Sequence, residues 1–308
     1  MKALFLICIV LSLNAYSEMI SRSKVLMGTF ATISLERSDS RLFRTTFEIL
    51  HRIESSLSSY QLNSPIFLLN KNKKADINLY TYEALLLSLK YYKQSGGYFN
   101  IAMGSMTKDL YHFGEDEQVP ESWELNASNI SLSSLRFDKK TASIGQGVKL
   151  DLGGMGKGFG VDRAIDLLKI NGVKHARVAL SGDIRCLDIC KIEINNPNAT
   201  APLMRFYTNK NEMGVSTSGN YNRFVKTTVN NHLINPKTKE SQKNFVSLTL
   251  ISTLSNSDLD AYATAASVMP KELAYKFLDS LSLAYIVLQS DDKLVVSANI
   301  DYFVRILE

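Results

Sequence analysis

Three short stretches hold residue types that could do chemistry. Residues 150–162 read LDLGGMGKGFGVD. Val148 to Leu152 reads as a short strand that enters a glycine turn and then a helix. The glycines at 153, 154, 156, 158 and 160 let the backbone approach a ligand closely, and amides at a helix N-terminus can hold an anion. Lys157 adds a positive charge inside the turn, and Asp151 before it is an acceptor. Neither GxxxxGK[ST] nor GxGxxG fits, so this is not a Walker loop or a dinucleotide fingerprint. Two readings stand: a phosphate-binding turn, or glycines that serve tight strand–helix packing. In residues 257–264, SDLDAYAT, Asp260 and Thr264 stand four apart on one helix face. A carboxylate and a hydroxyl so placed can share a hard cation with backbone and water oxygens. Alternatively, Ser257 and Asp260 form a helix-start capping pair. In residues 214–236, Ser216 to Gly219 read as a polar turn. His232, one of four histidines, is either a proton carrier or a structural residue.

The elements that must position these residues are legible from periodicity. Residues 25–35 read as a strand. Residues 41–60 read as an amphipathic helix, with Leu42, Phe43, Phe47, Leu50, Ile53 and Leu57 on one stripe. A second helix over 79–95 closes at Gly96-Gly97. Residues 114–134 are polar and read as a surface excursion. Residues 161–170 continue the glycine turn as a helix, and Val173 to Leu180 return as a strand. A strand over 245–253, helices over 258–269 and 271–281, and a hairpin over 283–289 and 293–297 complete the chain. Helices and strands mix without a regular βαβ beat, which favours α+β over a doubly wound sheet.

Composition bounds the rest. Met1 and Lys2 precede an apolar run from Ala3 to Leu13, and Ala15-Tyr16-Ser17 offers small residues for cleavage. This reads as a signal peptide over residues 1–17, with a mature chain from Glu18 exported to the periplasm. Cys8 has no small residue before it, so a lipoprotein anchor is not expected. No later segment is apolar enough to span a membrane. The 308 residues carry a formal net charge of +5, without a basic stripe interleaved with aromatics, which argues against nucleic acid. After cleavage Cys186 and Cys190 remain, flanking what reads as a tight hairpin connection. A disulfide and two buried thiols are both open. No Cys/His spacing fits zinc.

Together these stretches resemble the ApbE family, the FAD:protein FMN transferases, over nearly the whole mature chain and in family order. Met27-Gly28-Thr29 resembles the opening MGT. Leu57-Ser58-Ser59-Tyr60, with Ser64 and Asn70, resembles S-x-Y…S…N. Gly97-Tyr98-Phe99-Asn100 is similar to G-x-F-D. Residues 150–162 resemble LDLGGIAKGYAVD. Ser181-Gly182-Asp183 resembles GGD, and Thr217-Ser218-Gly219 with Tyr221 resembles TSG-x-Y. His232 to Pro236 is similar to HIIDP, and Asp260 to Thr264 matches D-A-x-A-T.

The resemblance implies an α+β, ApbE-like mixed fold: two intimately packed α/β subdomains with FAD in the cleft between them, over residues 18–308 as one domain. It implies Mg²⁺-dependent transfer of FMN from FAD to a threonine or serine hydroxyl of an acceptor protein, releasing AMP. The implied acceptor is a subunit of a membrane electron-transfer complex. Met27, Tyr60, Phe99, Asn100, Ile101, Asp151, Lys157 and Ile234 would lie around FAD. Asp260, Thr264 and the Gly154 carbonyl would hold Mg²⁺, and His232 falls at the family's proton-handling histidine. The sequence departs from the pattern where Asn100 and Asn235 replace aspartates, Gly156 replaces alanine, and Ser181 and Lys239 replace glycines. Two other readings stay open: a Mg²⁺-dependent FAD pyrophosphatase, with water as nucleophile, and a non-catalytic flavin-binding protein.

Overall fold

The computed structural model describes residues 18–307. The expected signal peptide, residues 1–17, lies outside the described residues. In the first half of the chain the strands are β1 (Met19–Leu26), β2 (Thr29–Glu36), β3 (Lys74–Asp76), β4 (Arg136–Phe137), β5 (Thr141–Ser143), β6 (Ala176–Leu180) and β7 (Asp183–Cys186). The second half adds β8 (Lys191–Ile194), β9 (Met204–Thr208), β10 (Gly214–Gly219), β11 (Phe245–Ser252), β12 (Ala284–Gln289), β13 (Leu294–Val296) and β14 (Val304–Leu307). The helices are α1 (Leu42–Leu57), α2 (Pro65–Asn72), α3 (Leu79–Gln94), α4 (Gly104–Thr107), α5 (Ser122–Ala127), α6 (Gly156–Ile170), α7 (Asn256–Val268), α8 (Lys271–Asp279) and α9 (Ile300–Phe303).

One eight-stranded sheet organises the molecule, in the order β1-β2-β6-β7-β10-β11-β12-β13. Its ladders are all antiparallel. This bears out the α+β reading, since a doubly wound sheet would be parallel. The two halves of the sheet carry different cores. Under β2 and β6, the stripe of α1 (Phe43, Phe47 and Leu50) packs with Val161, Ala164 and Leu168 of α6. Under β11 and β12, a larger core joins Leu248, Leu250 and Val287 to the alanines of α7 and to Tyr91 and Phe99. The small side chains of α7 are buried on nearly every face, so this helix runs through the centre. It closes at Met269, before Pro270, which cannot continue a helix.

Four expectations are corrected. The strand read over 25–35 is a hairpin of two strands, because Met27 and Gly28 both have positive φ and turn the chain. The helix read from 161 begins at Gly156, so three of the five glycines are helical. The polar excursion contains α5, started by a reciprocal capping box between Glu121 and Glu124. Cys186 and Cys190 do not flank a hairpin: β7 pairs with β6 and β10, whereas β8 pairs with β9 in a separate three-stranded sheet. The two cysteines are joined as a disulfide that spans the corner between the sheets.

Candidate functional site

The site begins where α6 meets α7. Gly158 at the start of α6 donates its backbone N–H to Oδ2 of Asp260 (3.1 Å). Nζ of Lys157 lies 3.4 Å from the same oxygen and 3.1 Å from Oδ2 of Asp183. Asp183 opens β7 and is only 1% exposed, and its Oδ1 accepts from the Ser216 hydroxyl at 2.6 Å. One turn beyond Asp260, the Thr264 hydroxyl donates to the Gly154 carbonyl (3.2 Å). Thr264 thus meets the Gly154 carbonyl that the family resemblance implied, and Asp260 stands one turn away on the same helix. The capping alternative fails, because Ser255 caps α7 and Ser257 instead donates its hydroxyl to Asp162. Ser216 to Ser218 do not form the expected turn. They continue β10, and this brings Ser216 to Asp183.

Two buried carboxylates share one ammonium here. Burial alone would lower the Lys157 amine, but Asp183 and Asp260 outweigh it and hold the amine above its ordinary value. The shortfall of positive charge falls on Asp183. Burial and the nearby Asp260 push its carboxyl up to about 7, against the pull of Lys157 and Ser216. Among the described residues no cluster of three or more His, Cys, Asp or Glu forms a protein-only metal cage. The donors that do converge are hard oxygens: a carboxylate, a hydroxyl and a carbonyl. Oδ2 of Asp183 is buried without a hydrogen bond of good geometry. The Asp260 carboxylate, Thr264 hydroxyl and Gly154 carbonyl fit Mg²⁺, which takes one or two carboxylates and completes its shell with water and phosphate oxygens.

The other end of the site is cationic. Oδ1 of Asp151 accepts from Gly153 N–H (2.9 Å) and Oδ2 from the Thr107 hydroxyl (3.1 Å), with Lys108 Nζ 3.8 Å away. Burial would raise this carboxyl, but Lys108, Arg223 and these two hydrogen bonds hold it below its ordinary value. Lys108 lies over the ring of Tyr60, 3.3 Å from its centroid. The Tyr60 hydroxyl donates to the Phe113 carbonyl (2.9 Å) and accepts from Nη2 of Arg223 (2.7 Å). Arg223 in turn offers its own carbonyl to Nδ1 of His232 at 3.1 Å. A carbonyl only accepts, so Nδ1 carries the proton and Nε2 is left as an acceptor. Burial first, then the charge of Arg223, lower the His232 imidazole to about 4. The ring is neutral at pH 7.

The remaining family-implied residues lie largely within the core packed around these elements. Phe99, Ile101 and Ile234 are buried among core side chains. The Ile101 carbonyl accepts from Asp151 N–H (2.7 Å). Met27 is pinned by its N–H to Glu54 (2.7 Å), and its side chain lies beside Gly156 and Gly160. Asn100 accepts from Ala102 N–H and donates its amide to the Ile130 carbonyl (3.0 Å). An aspartate could not make the second bond. Asn235 accepts from Lys237 N–H, which a carboxylate could do equally well. Both replaced glycines fall on left-handed backbone: φ is 55° at Ser181 and 61° at Lys239, which explains why glycine suits those positions. Lys239 offsets this by donating Nζ to the Asn126 and Ser128 carbonyls.

Most of the glycine run serves packing rather than an open anion cradle. The amides of Gly153, Gly156 and Gly158 are already engaged by Asp151, Leu152 and Asp260. A Cβ at Gly158 would lie 2.2 Å from the Asn256 carbonyl oxygen, and one at Gly160 3.1 Å from Leu180. Sequence reasoning missed Thr107, Lys108 and Arg223. Arg223 stands two residues after the singled-out Tyr221, which was the available signal. Thr107 ends, and Lys108 follows, a four-residue helix whose pattern is too short to read.

The ApbE family model matches residues 27–287. The FAD:protein FMN transferase of Klebsiella pneumoniae is 26% identical, over 76% of this chain and 77% of that protein. The FAD:protein FMN transferase of Treponema pallidum is 25% identical, over 94% and 89%. The structure of the flavin transferase ApbE from Vibrio cholerae superposes with a TM-score of 0.80 at 21% identity, over 93% of this chain and 99% of that one. That of the Thermotoga maritima ApbE protein gives 0.83 at 20% identity, over 94% and 100%.

Proposed function

The chain belongs to the ApbE family, and we propose that it is an FAD:protein FMN transferase that moves FMN onto a threonine or serine hydroxyl of an acceptor protein. The observation that supports this reading is two sets of contacts on either side of residues 151–158: Thr264 with the Gly154 carbonyl and Asp260 with Lys157 and Gly158 on one side, and Asp151 with Lys108, then Tyr60, Arg223 and His232, on the other. Hard-oxygen donors on one side of this turn, and cations with a neutral imidazole on the other, support the reading. FAD's pyrophosphate is anionic and repels a nucleophile. Lys157, Lys108 and Arg223 offset that charge, most strongly as it grows on the departing phosphate. Mg²⁺ held by Asp260, Thr264 and the Gly154 carbonyl would supply Lewis-acid stabilisation to the same oxygens. His232 accepts the acceptor hydroxyl's proton at Nε2, its Nδ1–H fixed on the Arg223 carbonyl. The hydroxyl oxygen bonds to the FMN phosphorus, the anhydride P–O bond breaks, and AMP leaves.

Export to the periplasm is part of the proposal, supported by the leader-like residues 1–17 and by a disulfide that suits an oxidising compartment. The proposed acceptor is a subunit of a membrane electron-transfer complex, on the strength of the family resemblance. No helix among the described residues is long and apolar enough to cross a membrane. The test mixes protein, FAD, Mg²⁺ and a purified acceptor domain. AMP with a covalently fluorescent acceptor supports transfer. AMP with free FMN makes the protein a pyrophosphatase, and no product makes it a flavin binder.

A further inference from the structure

Lys157 does not point freely at a ligand. Its ammonium lies between Oδ2 of Asp183 (3.1 Å) and Oδ2 of Asp260 (3.4 Å). Asp260 is 3% exposed and Asp183 1% exposed. Two carboxylates so buried require a compensating positive charge, and within the site Lys157 is the residue that provides it. A divalent cation at Asp260 would bring its own charge to the same oxygens. Ammonium and metal therefore compete for one carboxylate. Asp183 is the group that resolves the competition. Its Oδ1 is satisfied by Ser216, but its buried Oδ2 has no hydrogen bond of good geometry and faces the ammonium.

We propose that Lys157 is the built-in counter-ion of the cation site, and that Asp183 is the positioning residue that receives its ammonium when a divalent cation takes Asp260. Asp183 is then not a metal ligand. It lowers the cost of metal entry by giving the displaced charge somewhere to go, and it keeps Lys157 beside the site for the pyrophosphate. This rests on the transferase reading only in taking the cation to bind at Asp260.

The test is Mn²⁺ binding to the full mature protein without FAD, by calorimetry or by loss of the free-ion paramagnetic signal. Lys157→Met removes the competitor and should tighten Mn²⁺ binding by at least about tenfold, since unit charges at this separation interact strongly even near a surface. Asp183→Asn leaves the ammonium to Asp260 alone and should weaken Mn²⁺ binding. In the Lys157→Met background, the Asp183 change should cost less than it does in the wild-type chain. Unchanged or weaker binding by Lys157→Met overturns the proposal. So does a loss from Asp183→Asn that is undiminished in the double variant, which would make Asp183 a direct ligand. Should Lys157→Met unfold without metal, Asp183→Asn decides alone: unchanged or tighter binding refutes the counter-ion role. FMN transfer by the wild-type protein is assayed separately, so the counter-ion idea can fail while the transferase reading stands.

Discussion

Gly158→Ala should damage both the fold and the site, although alanine is the better helix former. A Cβ on Gly158 would lie 2.2 Å from the Asn256 carbonyl oxygen, 2.6 Å from its carbon and 2.9 Å from Cβ of Asp260. Relief requires separating α6 from α7 by about an ångström, because non-bonded carbon contacts prefer ~3.5 Å or more. Asn256 cannot yield readily. Its N–H is held by Asp162, its side-chain oxygen by Arg185, and its amide by the Ile184 and Val215 carbonyls. Against backbone fixed on both sides, overpacking costs about 3–4 kcal/mol, at or just above the top of its usual range, while the helix-propensity gain is only about 1 kcal/mol. A net loss of about 2–3 kcal/mol follows. At about 2–4 °C per kcal/mol for a domain approaching this size, the midpoint should fall by about 4–12 °C. Moving α7 also moves Asp260, so FMN transfer should drop by about tenfold or more. Gly156→Ala is the control. Its Cβ would meet only Met27 and Leu57, at 3.7 and 3.9 Å, and should stabilise by about 0.4–1 kcal/mol. Calorimetric melting beside single-turnover AMP release reads both variants. A Gly158→Ala protein that melts at or above wild type refutes the packing argument.

His232→Ala should bind FAD nearly normally in a flavin-fluorescence titration, yet transfer FMN at least ~100-fold more slowly, as befits a lost general base. Because the imidazole is held at about 4, below its ordinary 6.5, the part of the acid limb of the single-turnover rate that is lost in His232→Ala should lie near 4 rather than near 6.5. Between those values the unfolded chain binds a proton the folded chain does not, so this residue's contribution to stability is full above pH 6.5 and is lost as pH falls through 4. Asn100→Asp, which restores the family's usual residue, should lower stability by about 1–3 kcal/mol in denaturant melts, by setting a carboxylate against the Ile130 carbonyl. Thiol counting on denatured, unreduced mature protein should find Cys186 and Cys190 blocked, and reduction should cost less than the ~3 kcal/mol typical of a 15-residue loop.

The amphipathic stripe of α1 and the i, i+4 spacing of Asp260 and Thr264 were legible because both express helical period, which the structure keeps. The hairpin at Met27 and Gly28 was missed because Val25 and Leu26 run into β2 as one apolar stretch across a two-residue turn, while the earlier part of β1, Ser21 to Lys24, is polar and exposed. The glycine run was legible as a feature and ambiguous as a function. Only three-dimensional contact with Asn256, Leu180 and Thr264 reveals that most of it permits close approach of neighbours. The role of Asp183 was invisible in sequence, since it depends on β7 being set beside β10 and on Lys157 crossing from another element. Arg223 and Lys108 act through loop geometry, which has no period to read. Departures from the family pattern became intelligible one by one: Asn100 spends its amide on a backbone carbonyl, and Ser181 and Lys239 occupy backbone where glycine costs least.

The most direct test of the transferase account is a single-turnover reaction of the mature protein with FAD, Mg²⁺ and a stoichiometric acceptor domain, followed by peptide mapping of the acceptor. The account predicts flavin phosphate attached to one threonine or serine side chain, with AMP released in equal amount and both products lost in Asp260→Asn. AMP accompanied by free FMN and an unmodified acceptor, or transfer that survives unchanged in Asp260→Asn, would contradict it.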